Sequence, residues 1–184
     1  TNSNLIEAPN SYRLDIISEG TNTLTGGNLS ISTLTSVINC QEIVFYGQGT
    51  LSIIGANNVG RNGIHGMQGG YGISASGYVT NNMKELLIRG GRGSDGTQPV
   101  EAAKMLLVPA KQTEAKKTGV QGYTGNTGIT GGAGGDGGIG IYNAKKIVNN
   151  SRVTNCYMFE ENIPTKFSIY GGDGGTGGLG GKGG

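Results

Sequence analysis

Gly119-Val120-Gln121-Gly122-Tyr123-Thr124-Gly125-Asn126-Thr127-Gly128-Ile129-Thr130-Gly131-Gly132-Ala133-Gly134-Gly135-Asp136-Gly137-Gly138-Ile139-Gly140 places glycine at every third position over 22 residues. A period of three is neither the 3.6 of an α-helix nor the 2 of a strand. It matches the extended left-handed helix with three residues per turn and a rise of about 3.1 Å per residue. Every third side chain then falls on one edge, and glycine on that edge lets neighbouring backbones approach closely. The same spacing recurs at Gly60, Gly63, Gly66, Gly69 and Gly72, and at Gly90, Gly93 and Gly96. Residues 171–184 repeat the pattern Gly-Gly-x to their last residue.

Two other structures share part of this signature. Collagen requires abundant proline beside its glycine, whereas the 4 prolines here (Pro9, Pro99, Pro109 and Pro164) all lie outside the tracts. A floppy linker is the ordinary fate of glycine-rich chain, but these tracts alternate with strand-like segments and hold their register. The expected arrangement is a set of packed polyglycine-II-type helices, hydrogen-bonded side by side through their peptide groups. Composition agrees with it. Of 184 residues 38 are glycine, 34% are hydrophobic and 14% charged, against about 45–50% apolar and 25% charged in ordinary domains. Backbone hydrogen bonds, each worth about 1 kcal/mol net, take over part of the work of an aliphatic core. A conventional globular enzyme with a large aliphatic core is excluded.

Outward from the tracts the chain reads as short strands. Leu14/Ile16, Leu29/Ile31, Ile43/Phe45 and Leu51/Ile53 alternate with Thr, Ser and Asn, the period of a half-buried strand. Gly26-Gly27-Asn28 and Asn57-Asn58 read as turns between them. A longer unit also recurs. Val37-Ile38-Asn39-Cys40, Val79-Thr80-Asn81-Asn82 and Val153-Thr154-Asn155-Cys156 each precede a β-branched strand and a glycine tract. Gly70-Tyr71-Gly72-Ile73 and Gly138-Ile139-Gly140-Ile141 form matching entries to two copies. Repeats of fixed design imply stacked units sharing one core. The fold expected is all-β: β-solenoid-like short-stranded repeats combined with packed polyglycine-II helices. It forms one repeat domain over 1–184, with a β-rich part at 1–59, strand-plus-tract parts at 60–97 and 119–184, and an insertion at 98–118. The chain reads as a piece of something longer. Within the insertion, Val100-Glu101-Ala102-Ala103-Lys104-Met105-Leu106-Leu107 has helix-forming composition between Pro99 and Pro109, so a short helix is expected there.

Candidate chemistry is sparse. Cys40 and Cys156 occupy matching repeat positions with Asn82 between them. At about 4.8 Å per stacked strand they lie beyond disulfide reach, so two free, mostly buried thiols are expected. Gly90–Asp95 and Gly131–Asp136 match the first six positions of a calcium-binding nonapeptide, but the large apolar residue due at the eighth is Thr97 and Gly138. Asp95 and Asp136 are therefore read as turn or tract residues. Thr124, Thr127 and Thr130 share one tract edge, and Val120, Tyr123, Asn126 and Ile129 another. His65 is the one histidine, set between tract glycines. Arg89-Gly90-Gly91-Arg92-Gly93 is a single Arg-Gly box in a chain of net charge +2, too little for a nucleic-acid surface. Asn28-Leu29-Ser30 and Asn149-Asn150-Ser151 are glycosylation sequons. Asp15, Glu42, Glu85, Glu160 and Glu161 form no recognisable acid–base pair; Glu42 and Glu85 fall at one repeat position. No catalytic, cofactor-binding or metal-ligating residue is assigned, and no cofactor is implied. No stretch approaches the ~20 apolar residues of a membrane helix.

The Gly-Gly-x runs of 131–138 and 171–184 resemble the glycine-rich motifs of polyglycine-II proteins. These include the tail-fibre tip adhesins of T-even-like phages, where such helices display receptor-binding loops, and the springtail antifreeze proteins. The strand-plus-tract unit resembles glycine-rich repeat proteins of bacterial surfaces. The resemblance implies an extracellular, cell-surface or virion-surface location. With 17 Asn, 17 Thr and 12 Ser, the polar uncharged bias points the same way. The expected function is a non-enzymatic structural or adhesive protein that self-associates into a layer or fibre. Two alternatives remain: an adhesin that binds a glycan or cell-surface receptor, and, by analogy of fold, a glycan-cleaving β-solenoid enzyme.

Overall fold

The structure, a computed structural model, describes residues 4–10, 13–30, 34–97, 130–150 and 166–179. Among them the chain forms sixteen short strands and no helix. The first eight are β1 (Ile6–Ala8), β2 (Leu14–Ile17), β3 (Thr21–Thr25), β4 (Asn28–Leu29), β5 (Ser36–Cys40), β6 (Ile43–Tyr46), β7 (Thr50–Ile54) and β8 (Asn57–Asn58). They are followed by β9 (Arg61–Asn62), β10 (His65–Gly66), β11 (Tyr71–Ala75), β12 (Tyr78–Asn81), β13 (Glu85–Arg89), β14 (Ile141–Tyr142), β15 (Lys146–Asn149) and β16 (Lys166–Tyr170).

Twelve of these build three parallel four-stranded sheets, each taking one strand from each of four successive passes of the chain. The orders are β1-β5-β11-β14, β2-β6-β12-β15 and β3-β7-β13-β16. β4 pairs in parallel with β8, and β9 with β10 form an antiparallel hairpin. The fold is therefore all-β with parallel sheets.

Alternation sets the core. β7 and β13 each bury their second and fourth residues and leave the others half-exposed. In register, the inward residues stack into columns: Ile6, Ile38, Ile73 and Ile141 on one sheet, Leu14, Ile43, Val79 and Ile147 on the next, Leu24, Ile53, Ile88 and Ile169 on the third. Within every column the two middle residues are fully buried. A neighbouring column, Ile16, Phe45, Asn81 and Asn149, is half polar, and Asn81 within it is fully buried. Its side chain accepts the Met83 N–H at 2.9 Å and donates to Asn149 Oδ1 at 2.9 Å.

The register corrects the repeat phase expected from sequence. Val79–Asn81 lies on Ile43–Phe45, and Ser36–Cys40 lies beside Tyr71–Ala75, so Cys40 neighbours Ala75 rather than Asn82. Glu85 lies on Thr50 rather than Glu42. The cause is that the segment Val-x-Asn occurs on two different faces, while stacking of the corners fixes the phase: Gly77 N–H donates to Gln41 O at 2.7 Å. Asn57-Asn58 is likewise not a turn. Its amides extend the parallel ladder, with Asn57 N–H to Gly27 O at 3.0 Å and Val59 N–H to Leu29 O at 2.7 Å. The turn falls on Gly26-Gly27, where Gly27 has φ 77°. The match of 70–73 with 138–141 does hold, since Ile73 pairs with Ile141.

Beside the sheets, the glycine tracts form a second bonded layer. Gly66, Gly69 and Gly72 donate to Ala133, Asp136 and Ile139; Gly91, Ser94 and Thr97 to Gly70, Met67 and Ile64; Gly132, Gly135 and Gly138 to Thr97, Ser94 and Gly91. Gly90, Gly93 and Gly96 donate to Tyr170, Asp173 and Thr176, and Gly172, Gly175 and Gly178 to Gly138, Gly135 and Gly132. All fifteen bonds lie between 2.7 and 3.1 Å and step by three residues. Burial steps likewise: Gly132, Gly135 and Gly138 are buried, Ala133, Asp136 and Ile139 exposed. A β-carbon on Gly135 would lie inside 3.0 Å of the Met67 backbone, and one on Gly138 inside 3.0 Å of Gly70. The expected helix at 98–118, the tract from 119 to 129, Val153–Cys156, Glu160 and Glu161, and 180–184 lie outside the described residues.

Candidate assembly surface

The residues singled out from sequence are mostly engaged in holding the stack. Asp15 pairs with Arg13 at 2.7 Å, and Glu85 Oε2 accepts the Thr50 hydroxyl at 2.9 Å across adjacent passes. Glu42 is half-buried at the β5–β6 corner. Arg89 pairs with Asp173 at 2.5 Å, tying a strand end to the last tract. His65 is exposed, and its Nδ1 accepts the Ala133 N–H at 3.1 Å. Asp95 Oδ1 takes the Thr176 N–H at 2.8 Å and the Arg92 guanidinium at 2.7 Å; the first of these chiefly holds its carboxyl below the ordinary range. Asp136 and Thr130 are exposed on the tract's outer edge. Cys40 is a free, buried thiol, pushed by desolvation up to about 11. Both sequon asparagines, Asn28 and Asn149, are exposed. No group of three metal-ligating side chains occurs among the described residues.

The two ends of the stack carry a different feature. Each sheet terminates on β1, β2 or β3 at one end and on β14, β15 or β16 at the other. An unpaired strand edge presents a row of backbone donors and acceptors to any further chain. The outer members of the core columns are correspondingly under-buried. Ile6, Leu14, Ile16 and Leu24 are only partly covered at the first end, as are Ile141 and Phe167 at the last. Ile147, Ile169 and Tyr170 are 43%, 38% and 54% exposed. Stacked-repeat proteins ordinarily close such ends with a polar cap. Among the described residues neither end has one.

Charge differs between the ends. Among the described residues Glu7, Asp15 and Glu19 stand with Arg13 on the first pass, whereas Lys145, Lys146 and Lys166 stand with Asp136 and Asp173 on the fourth. Opposite signs on two apolar, edge-bearing ends favour their meeting head to tail over like ends meeting. The sequence pointed to self-association in general. It did not reveal this asymmetry, because the charges are assigned to ends only once the passes are counted. No protein-family model, no curated protein and no solved structure matches the chain. Among the described residues no helix is long and apolar enough to cross a membrane.

Proposed function

We propose that the three-sheet stack is a short β-solenoid flanked by polyglycine-II-type helices, and that it serves as a non-enzymatic, extracellular structural or adhesive module that self-associates end to end. The fifteen backbone bonds stepping by three support the polyglycine-II assignment. The ends, which bear no polar cap among the described residues and differ in charge there, support the functional one. Joining unlike ends is a heterologous contact that does not close on itself, and repetition of such a contact gives a filament.

Sedimentation velocity and negative-stain microscopy of the purified chain test the proposal. Oligomers growing with concentration and lengthening along one axis are expected. Ile147→Lys with Ile169→Lys, both on the exposed fourth pass, should return the protein to monomers with its far-ultraviolet dichroism unchanged. A monodisperse 18.8 kDa species at every concentration reached would overturn the assembly role.

A further inference from the structure

We infer that the cleft between β4, β8 and the 90–97 tract binds a carboxylate-bearing sugar residue of an acidic polysaccharide. The cleft has a volume of about 270 Å³ and is lined chiefly by Asn28, Asn57, Arg61, Arg92 and Asp95. That is just below the ~300–1,000 Å³ of sites for drug-sized ligands, a size suited to one sugar unit. The β4–β8 ladder sets Asn28 directly beside Asn57. Asn57 Oδ1 accepts the Arg92 backbone N–H at 2.8 Å, which fixes its amide and leaves the NH₂ as a donor.

Asp95 positions both guanidinium groups. Its carboxylate holds Arg92 Nη2 at 2.7 Å and its main-chain carbonyl accepts Arg61 Nε at 3.2 Å. Each guanidinium has five N–H donors, and these contacts use one from each. Two cations against one carboxylate leave a net charge of +1, matched by a monoanion. A planar fork of donors fits a carboxylate in two parallel hydrogen bonds. The neighbouring Asn amides suit the hydroxyls of a sugar ring. This site does not depend on end-to-end assembly.

The test is isothermal titration of the intact chain with oligogalacturonate, with the same oligosaccharide methyl-esterified, and with inorganic phosphate and sulfate. Binding of the acidic oligosaccharide alone, weakened by salt, is expected. Arg61→Gln should weaken it about tenfold or more, the worth of one charge-assisted contact. Arg61 is exposed, so this variant keeps the fold, and unchanged dichroism checks that. Arg92→Gln should weaken binding further. Equal binding of the esterified form, binding of phosphate or sulfate as tight as that of the oligosaccharide, an unchanged affinity in Arg61→Gln, or no binding of the acidic form would each overturn the inference.

Discussion

Adding one methyl group to the tract layer should have opposite effects at two glycines. Gly135→Ala places a β-carbon inside 3.0 Å of the N, C and O atoms of Met67. Backbone cannot rotate away as a side chain can, so the 130–140 segment must move off the 66–72 segment. Overpacking of this kind costs about 1–3 kcal/mol. The shift also strains the Gly135-to-Ser94 and Gly175-to-Gly135 bonds, each 2.7–2.8 Å long and worth about 1 kcal/mol. Alanine lowers the entropy of the unfolded chain and returns about 0.4–1 kcal/mol. The net loss is about 2–4 kcal/mol. At about 2–4 °C per kcal/mol for a chain of this size, Tm falls by about 4–16 °C. Gly174→Ala is the control: its added carbon meets a single atom, at 3.5 Å, and its φ is outside the left-handed region. Only the entropic gain remains, so Tm stays level or rises by up to about 4 °C. Thermal melts followed by circular dichroism read both variants side by side. Equal shifts in the two would refute the close backbone packing of the tracts.

Other outcomes follow from single residues. Asn81→Ala strands the buried Met83 N–H and removes the bond to Asn149 Oδ1, so the urea midpoint should fall by the equivalent of about 1–3 kcal/mol; an unchanged midpoint contradicts that role. Asp95 is held below its ordinary value of 3.8 by the Thr176 N–H. A folded-state pKa below the unfolded one means its contribution is complete above pH 3.8 and is lost as pH falls through the depressed value. Acid titrations of the unaltered chain and Asp95→Asn should therefore converge only at the acid end; parallel curves throughout would count against it. Cys40, buried with its thiol raised to about 11, should resist iodoacetamide at pH 8 in the native protein and react in urea, as peptide mapping would show. Full native labelling of Cys40 would contradict its burial.

Much of the architecture is legible in the residues. Period-two alternation at Leu14/Ile16, Ile43/Phe45 and Leu51/Ile53 marks true strands, and the Gly-x-Gly-Ile entries mark equivalent positions in consecutive passes. The phase of the stack was harder to see. Val-x-Asn looks alike wherever a buried β-branched residue precedes a corner, so local similarity cannot tell one sheet from its neighbour. Between the first two passes a shared offset gives one signal, which the later passes do not keep, since Ile38 pairs with Ile73 and Ile43 with Val79. Leu14 and Ile43, Thr21 and Thr50, and Asn28 and Asn57 are each 29 residues apart and lie in register. The cleft was not legible because its parts had separate local explanations. Arg92 reads as part of an Arg-Gly box and Asp95 as a turn or tract residue, while Arg61 approaches them only through the fold.

Residue-resolved amide hydrogen exchange along 130–140 and 171–179 tests the central claim most directly, that glycine tracts bonded through their backbones flank the parallel sheets. The amides of Gly132, Gly135, Gly138, Gly172 and Gly175 donate across to neighbouring tracts. They should exchange slowly, with Gly134 and Gly137 between them fast, giving protection that repeats every third residue, to which Ala133 and Thr176 add through their bonds to His65 Nδ1 and Asp95 Oδ1. Uniformly fast exchange through both segments, or protection in continuous blocks, would contradict it.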